Sequence, residues 1–229
     1  MMFYRFLLFI FILFLSACQS IPEQEKQLAQ KYWPEPPDQP RYFHEVTLRS
    51  NLDIEVENED DMVKRLLTGN KQNSYGLNKP HSIAVSKGKI YVTDTALAQV
   101  HVFDIPRRRY FRIGYRREGL LAAPRGIAVD NSGNVYVVDG EQKRIVIYDQ
   151  IGLYTKEILL ENIAIRPSAI AVNSAMDKIY LVDSGGVTSD SHKVLVLNQD
   201  GLVIQIIGKR GKLPGEFNLP NDIAVTDKG

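Results

Sequence analysis

The feature that most constrains the fold is a repeat. The tripeptide Ile-Ala-Val begins at Ile83, Ile127, Ile170 and Ile223, so successive copies are 44, 43 and 53 residues apart. Each copy opens a segment of short apolar runs separated by turn-forming residues. A period of 40–50 residues with several strands per unit is typical of β-propeller blades.

The unit that begins at Pro124 shows the pattern in full. Its apolar runs span residues 127–129, 135–138 and 145–148, with DNSGN and DGEQKR between them, and a fourth run covers 154–159. Runs rich in β-branched and aromatic residues with tight polar connections predict antiparallel strands. The neighbouring units have fourth runs at 110–113 and 202–207. We therefore predict an all-β fold of four-stranded antiparallel blades.

Residues 206–225, IIGKRGKLPGEFNLPNDIAV, resemble the NHL repeat. The resemblance extends over about residues 79–229 and implies a partial NHL-type β-propeller of the six-bladed kind, with about three and a half blades in residues 41–229. The aspartates that close each second strand are expected to accept backbone N–H bonds in the following turn. The matching positions are Gly208, Gly211, Gly215, Phe217, Pro220, Ile223 and Val225, and the aspartates are Asp94, Asp139 and Asp183.

The last unit stops at Gly229, before its second strand. Half a blade would expose strand edges and an apolar face. We expect the chain to be a fragment of a longer protein. The alternatives are an open arc that assembles with a second copy and a genuine truncated product.

The N-terminus predicts a lipoprotein. Residues 1–17 carry one basic residue and a short apolar run, typical of a signal peptide. The sequence Leu15-Ser16-Ala17-Cys18 resembles the bacterial lipobox, which implies cleavage before Cys18 and acylation of its thiol. An ordinary signal peptide followed by a cysteine is the alternative. Gln19 favours the outer membrane, and residues 18–40 predict a proline-rich tether.

Composition limits the chemistry. Arg5 is the one charged residue in 1–17, so of 28 basic and 27 acidic residues, 27 of each remain beyond it. This balance argues against nucleic acid as a partner. Cys18 is the only cysteine, and the sequence has no CxxC, HExxH or P-loop pattern, so we predict no cofactor, no metal site and no catalytic residues.

One candidate binding site is the channel mouth, where the residue after each blade-opening proline lies. These residues are His81, Arg125, Ser168 and Asn221. His81 matches the Pro-His motif through which the related amidating lyases bind zinc, but the other three do not, and catalytic zinc needs about three protein ligands. No Glu, Asn and Asp metal set of the lactonase-like kind can be assembled either. His81 is therefore expected to be a hydrogen-bonding residue.

The other candidate is a basic run interleaved with Tyr110, Phe111 and Tyr115 on the outer strand of the first blade. Charged residues on an edge strand prevent aggregation, and this is one interpretation. The other is a binding patch for anionic lipid headgroups, a polysaccharide or an acidic protein. The basic residues are Arg107, Arg108, Arg109, Arg112, Arg116 and Arg117.

Residues 41–78 give a weaker pattern. We expect 41–48 to supply a strand that closes the last blade, and residues 62–69 to stand in the place of a fourth strand. The acidic run Glu57, Glu59, Asp60 and Asp61 lacks the alternating ligands of a calcium loop and is expected to be a solvated turn.

The sequence as a whole predicts a bacterial cell-envelope lipoprotein, facing the periplasm or the cell surface, whose propeller is a binding or scaffold module for a protein or an envelope polymer. The alternative is a metal-dependent enzyme of the amidating-lyase or lactonase type, completed by blades beyond residue 229.

The lipobox generates a first prediction. Cys18→Ser removes the thiol that would be acylated, so the variant should incorporate no radiolabelled palmitate and should accumulate as the uncleaved precursor. Metabolic labelling followed by immunoblotting measures both. Palmitate incorporation equal to that of the unchanged chain would contradict the lipoprotein assignment.

Overall fold

The computed structural model describes residues 31–57, 59–69, 73–116, 118–175 and 177–226. The predicted signal peptide (1–17), Cys18, Arg117 and residues 227–229 lie outside the described residues, as does most of the predicted tether. The chain divides into two compact units, Met1–Thr47 and Leu48–Gly229.

In the first unit, two short strands form a small antiparallel sheet. β1 is Tyr32–Trp33 and β2 is Tyr42–Phe43, with Tyr32 opposite Phe43. Two further backbone bonds, from Arg41 N–H to Trp33 and from His44 N–H to Lys31, extend the pairing. The extended part of residues 41–48 therefore pairs with β1, and the closing of the last blade by this segment stays a prediction.

The second unit opens with helical structure. Ser50 caps a 3-10 helix, Asn51–Asp53, by a capping box in which Asp53 accepts the Ser50 N–H at 2.7 Å. The helix α1, Glu59–Thr68, follows. The expected acidic turn and fourth-strand segment are wrong here, because the acids form the first turn of α1, where they complement the helix dipole. Arg65 also pairs with Glu57 at 2.8 Å.

Three four-stranded antiparallel sheets follow and form the blades of a β-propeller, which confirms the predicted fold class. In each sheet the strands pair in chain order, and the predicted outer strands begin within one residue of the observed ones. Blade 1 contains β3 (Pro80–Ser86), β4 (Lys89–Asp94), β5 (Gln99–Asp104) and β6 (Arg109–Ile113); blade 2 contains β7 (Pro124–Val129), β8 (Val135–Asp139), β9 (Arg144–Tyr148) and β10 (Tyr154–Leu159); blade 3 contains β11 (Pro167–Asn173), β12 (Lys178–Asp183), β13 (Lys193–Leu197) and β14 (Val203–Ile207).

The middle strands are buried on both faces. Every residue of β5 and β8 is buried. β8 is accordingly apolar up to its closing aspartate, whereas β5 also buries the polar residues Gln99, His101 and Asp104. Residues of blades 1 and 2 share one core around Val102, Val137 and Tyr148, and those of blades 2 and 3 share another around Ile147 and Leu181. Each blade is therefore stabilised mainly by its neighbours.

The innermost strands β3, β7 and β11 lie side by side. At Gly126 in β7 a Cβ atom would lie 2.6 Å from the Cα of Ala169 in β11, so only glycine lets the two backbones approach this closely. Blades 1 and 2 are also joined by the hydroxyl of Thr93, which donates to the carbonyl of Arg125 at 2.8 Å.

The three repeated aspartates are fully buried and confirm their predicted role. Asp94 accepts the N–H groups of Ala96 and Leu97 in the turn after β4, and those of Asn78 and Lys79 just before β3. Burial acts to raise the pKa of Asp94, but these four donors outweigh it and lower the pKa below its ordinary value.

Asp139 and Asp183 repeat the arrangement. Asp139 accepts the N–H groups of Ala122 and Ala123 before β7, and Asp183 accepts those of Ile165 and Arg166 before β11. Each carboxylate thus joins the end of a second strand to the beginning of the innermost strand. Hydrogen bonds to a buried charged acceptor contribute about 1.5–3 kcal/mol each.

The fourth repeat packs against blade 3. Phe217 and Ile223 contact the cluster of Ala169, Val182 and Val194, and an isolated bridge joins Arg210 to Phe217. The described part of this repeat, up to residue 226, contains no assigned strand. Among the described residues, no helix is long and apolar enough to cross a bilayer.

The contact between β7 and β11 generates the second prediction. Gly126→Ala should lower the free energy of unfolding by about 2 kcal/mol or more, because the added methyl group meets backbone that cannot move aside. Urea denaturation measures the loss.

Gly186→Ala is the matched control, since no atom lies within 4 Å of a Cβ placed there. Its stability should be unchanged or slightly raised. Equal effects of the two substitutions would contradict the close approach of the inner strands.

Candidate functional site

Of the predicted channel-mouth residues, His81, Arg125 and Ser168 lie at the beginnings of β3, β7 and β11, whereas Asn221 lies in a segment without a strand. His81 and Arg125 are neighbours. Partial burial lowers the pKa of His81, and the charges of Arg125 and Lys79 lower it further. A hydrogen bond to the backbone of Arg125 acts in the opposite direction and raises the pKa, but it is outweighed. Ser168 is buried and its hydroxyl donates to the Val182 carbonyl at 3.4 Å, whereas Asn221 is exposed.

The side chain of Arg125 lies across Gly140, where a Cβ would be 2.3 Å from the guanidinium Nε. It therefore packs on the turn of its own blade. In the part of the chain that the structure describes, no group of three or more His, Cys, Asp or Glu side chains could hold a metal ion. The channel-mouth and lipidation predictions stay untested.

The basic run is brought together with aromatic side chains in a surface groove. The groove has a volume of about 1180 Å³ and follows β6 on one side and the turn of residues 149–154 of blade 2 on the other. Arg108 is exposed in the turn before β6, with a φ of 50°, and does not line the groove. The predicted basic residues that line it are Arg107, Arg109, Arg112 and Arg116.

Two of these arginines alternate with tyrosine rings. The Arg112 guanidinium lies 4.5 Å from the ring centroid of Tyr75 and 4.8 Å from that of Tyr115, and the Arg116 guanidinium lies 5.3 Å from Tyr115. Tyr75 in turn stacks on Tyr110, with centroids 6.0 Å apart and planes 10° apart. We call these five side chains the arginine–tyrosine stack. Cation–π contacts hold its guanidinium groups in place.

A buried polar network anchors one end of the arginine–tyrosine stack. The Tyr110 hydroxyl is 2.8 Å from Nδ1 of His101, and Nε2 of His101 is 3.5 Å from Asp94. Both His101 and Asp94 are fully buried. Burial raises the pKa of Tyr110 to about 12, so the phenol is neutral at physiological pH. Its hydroxyl is held by His101, so the network positions the ring.

The other blades show what is particular to this network. Strand pairing places His101 at the position of Val146 in blade 2 and Leu195 in blade 3, and places Arg112 at the position of Glu157. In blade 2, Glu157 pairs with Arg144. Blade 1 has Gln99 in place of Arg144, and Gln99 meets Arg112 through its amide oxygen at 3.5 Å. The outer-strand ion pair of blade 2 is therefore absent from blade 1, where Arg112 has an amide partner, and blade 3 has Ile206 at this position.

The charge of the groove is only partly balanced. Arg107 pairs with Asp104 at 3.1 Å, and Lys89 donates to the carbonyl of Gln150. Among the described residues, no carboxylate lies within ion-pair distance of Arg109, Arg112 or Arg116. The groove can therefore accept anionic groups from a ligand.

Sequence reasoning found the arginines but missed Tyr75, Gln99 and His101. Tyr75 precedes the first repeat and reaches Tyr110 only through the fold. His101 carried a usable signal, since the other repeats have Val146 and Leu195 at its position. A polar residue at an otherwise apolar position of a repeat indicates a local function.

Comparisons with known proteins agree on the fold. A family described as "6-bladed beta-propeller" matches residues 70–170. A structure of a nidogen/laminin complex matches with a TM-score of 0.51 and 20% identity over 62% of this chain and 51% of that one. A Bacteroides fragilis protein matches with a TM-score of 0.50 and 15% identity over 62% and 41%.

Virginiamycin B lyase from Staphylococcus aureus matches with a TM-score of 0.46 and 16% identity over 68% of this chain and 50% of the lyase. This chain thus spans between 41% and 51% of the length of the three proteins. At such identities the likeness concerns the fold alone. No curated protein sequence matches the chain. The chain is a β-propeller.

The buried network generates the third prediction. Burial lowers the pKa of His101 below its ordinary value, with Arg112 adding to the effect and Asp94 opposing it. Above about pH 6.5 both folded and unfolded chains hold a neutral ring. As the pH falls below that value, the unfolded chain binds the proton first, so the free energy of unfolding decreases.

His101→Leu, which copies Leu195 of blade 3, should therefore make the decrease between pH 7 and pH 5 shallower. Urea denaturation at a series of pH values measures it, and His81→Gln separates the part that comes from the other histidine with a lowered pKa. The same slope with and without His101 would show that the buried ring does not titrate as described.

Proposed function

We propose that this chain is a membrane-anchored lipoprotein of the bacterial cell envelope whose NHL-type propeller is a binding module, and that it binds an anionic partner in the groove beside β6. The proposal joins the lipobox at Cys18, taken from the sequence, to the groove of blade 1. The proline-rich residues 18–40 would give the propeller reach from the membrane surface.

The observation that carries the proposal is the arginine–tyrosine stack. Its guanidinium groups have cation–π partners but no carboxylate among the residues that the structure describes, and they border an open groove. Arginine side chains that are already ordered lose little entropy on binding, and their planar forks match carboxylate and phosphate groups. Such an arrangement favours recognition of anions.

Edge protection, the other interpretation of the basic run, explains less of the geometry. One backbone donor of β6 is already satisfied, because Glu55 accepts the backbone N–H of Tyr110 at 3.3 Å. Residues 51–55 are held in place by Asn51, which bonds to the backbone of Tyr75 and Asn73. Protection of an edge also needs only exposed charges and not ordered ones.

Site-specific photo-crosslinking in the cells that make the protein tests the proposal, and is the fourth prediction. A photoreactive benzoylphenylalanine at Leu153, which lines the groove, should give an adduct of reduced mobility. Leu202 is the matched control, since it has the same place in the corresponding turn of blade 3 and is also exposed; it should give none.

The adduct at Leu153 should be lost in Arg112→Gln/Arg116→Gln, which removes two unpaired guanidinium groups, and retained in Arg108→Gln, which removes a charge outside the groove. The proposed binding site would be contradicted if positions 153 and 202 gave equal yields of adduct. It would also be contradicted if the yield at position 153 did not change in the double variant.

A further inference from the structure

We infer that the groove beside β6 binds an extended acidic polysaccharide, whose carboxylates pair with the guanidinium groups of the arginine–tyrosine stack. This inference rests on the proposed function and adds the chemical class of the ligand. Four observations carry it: the spacing of the guanidinium groups, the occupied ring faces, the partly occupied strand edge and the concave shape of the groove.

The spacing suits a polymer with repeated carboxylates. The guanidinium groups of Arg112 and Arg116 are 4.8 Å and 5.3 Å from the same ring, that of Tyr115. They therefore lie within about 10 Å of each other. A polysaccharide with an acid group on every sugar, or on every second sugar, presents carboxylates at comparable intervals. Two or more pairs can then form along one chain, and their energies add.

The aromatic rings do not favour a nucleic acid. Nucleic-acid grooves stack successive bases on open aromatic faces. Here Tyr75 already stacks on Tyr110 and contacts the Arg112 guanidinium, and Tyr115 contacts both Arg112 and Arg116. The rings of the arginine–tyrosine stack order the guanidinium groups, so a ligand that binds the stack meets cations rather than free ring faces.

The strand edge does not favour an acidic peptide. An extended peptide would bind β6 most simply as a fifth strand, through the outward backbone groups of the edge. The Glu55 carboxylate already accepts the N–H of Tyr110 on that edge. Recognition is left to side chains, which suits a ligand rich in carboxylates and hydroxyls.

The shape does not favour a membrane surface. Residues of β6 and residues 150–154 of blade 2 line a groove of about 1180 Å³, together with Tyr148 and Gly114. A single polymer chain fits in such a groove, whereas headgroups in a bilayer lie on a plane. The groove therefore favours a flexible chain over a lipid surface.

Fluorescence anisotropy with a labelled galacturonate decasaccharide tests the inference on the purified full chain, and is the fifth prediction. The fully methyl-esterified decasaccharide is the control, since it keeps the sugar backbone and lacks the charge. The acidic probe should bind at least about tenfold more tightly than the ester, with an affinity that falls as salt is added.

Three variants that should weaken binding, and a fourth as control, locate the site. Arg112→Gln should weaken binding by about tenfold or more. Arg112→Lys, which keeps the charge but loses the planar fork, should also weaken it several-fold. Tyr75→Leu removes no charge but releases Arg112, so it should weaken binding as well. Arg108→Gln should change the affinity by less than about twofold. Thermal unfolding of each variant checks that it is folded.

The results separate this inference from the proposed function. The assignment of a polysaccharide ligand would be overturned if another anion bound more tightly than the acidic decasaccharide. The anions to compare are a glutamate decapeptide, an oligothymidylate and phosphatidylglycerol vesicles. Such a result would still leave an anion-binding groove. The inference would also be overturned if Arg108→Gln and Arg112→Gln lowered the affinity equally and Tyr75→Leu did not lower it. Binding would then depend on overall positive charge and not on the ordered arginines. If, in addition, the chain with all its arginines gave no adduct from position 153, the proposed function would be overturned as well.

Discussion

The blades depend on one buried interaction, the carboxylate at the end of each second strand. Asp94, Asp139 and Asp183 each accept backbone N–H groups from the segment that opens the innermost strand. A carboxylate buried away from water needs such donors, because an unsatisfied buried charge would strongly destabilise the folded state. The carboxylate therefore determines where the innermost strand begins, and the close contacts of β7 with its neighbours follow from that placement.

Blade 1 adapts the same interaction to a second purpose. Asp94 keeps its backbone donors and also lies beside His101, which holds the hydroxyl of Tyr110. In blade 2 the corresponding aspartate lies near Arg144, which pairs with Glu157 on the outer strand. Replacing that ion pair by neutral partners leaves Arg112 ordered by rings and open to an external anion. A structural position of the repeat thus becomes part of a candidate binding site.

Much of the fold could be predicted from the sequence, because the blade is a local structure. Three of the four strands of blade 2 were predicted to within one residue, and the role of Asp139 followed from its recurrence. The helix α1 was missed, since residues 57–69 have no repeat with which to compare them, and their acids fit a turn and a helix start equally well. The arginines of the candidate site were found, but the side chains that order them were not.

The sequence by itself determined the repeat, the strand order within each blade and the positions of the buried aspartates, because these depend on neighbours a few residues apart. Only the tertiary structure decided which cations are ordered and which are merely exposed. Arg108 and Arg112 look alike in the sequence, yet only Arg112 lies between Tyr75 and Tyr115. That difference depends on strand register and on a contact with a segment that precedes the first blade, and neither is encoded in local residue patterns.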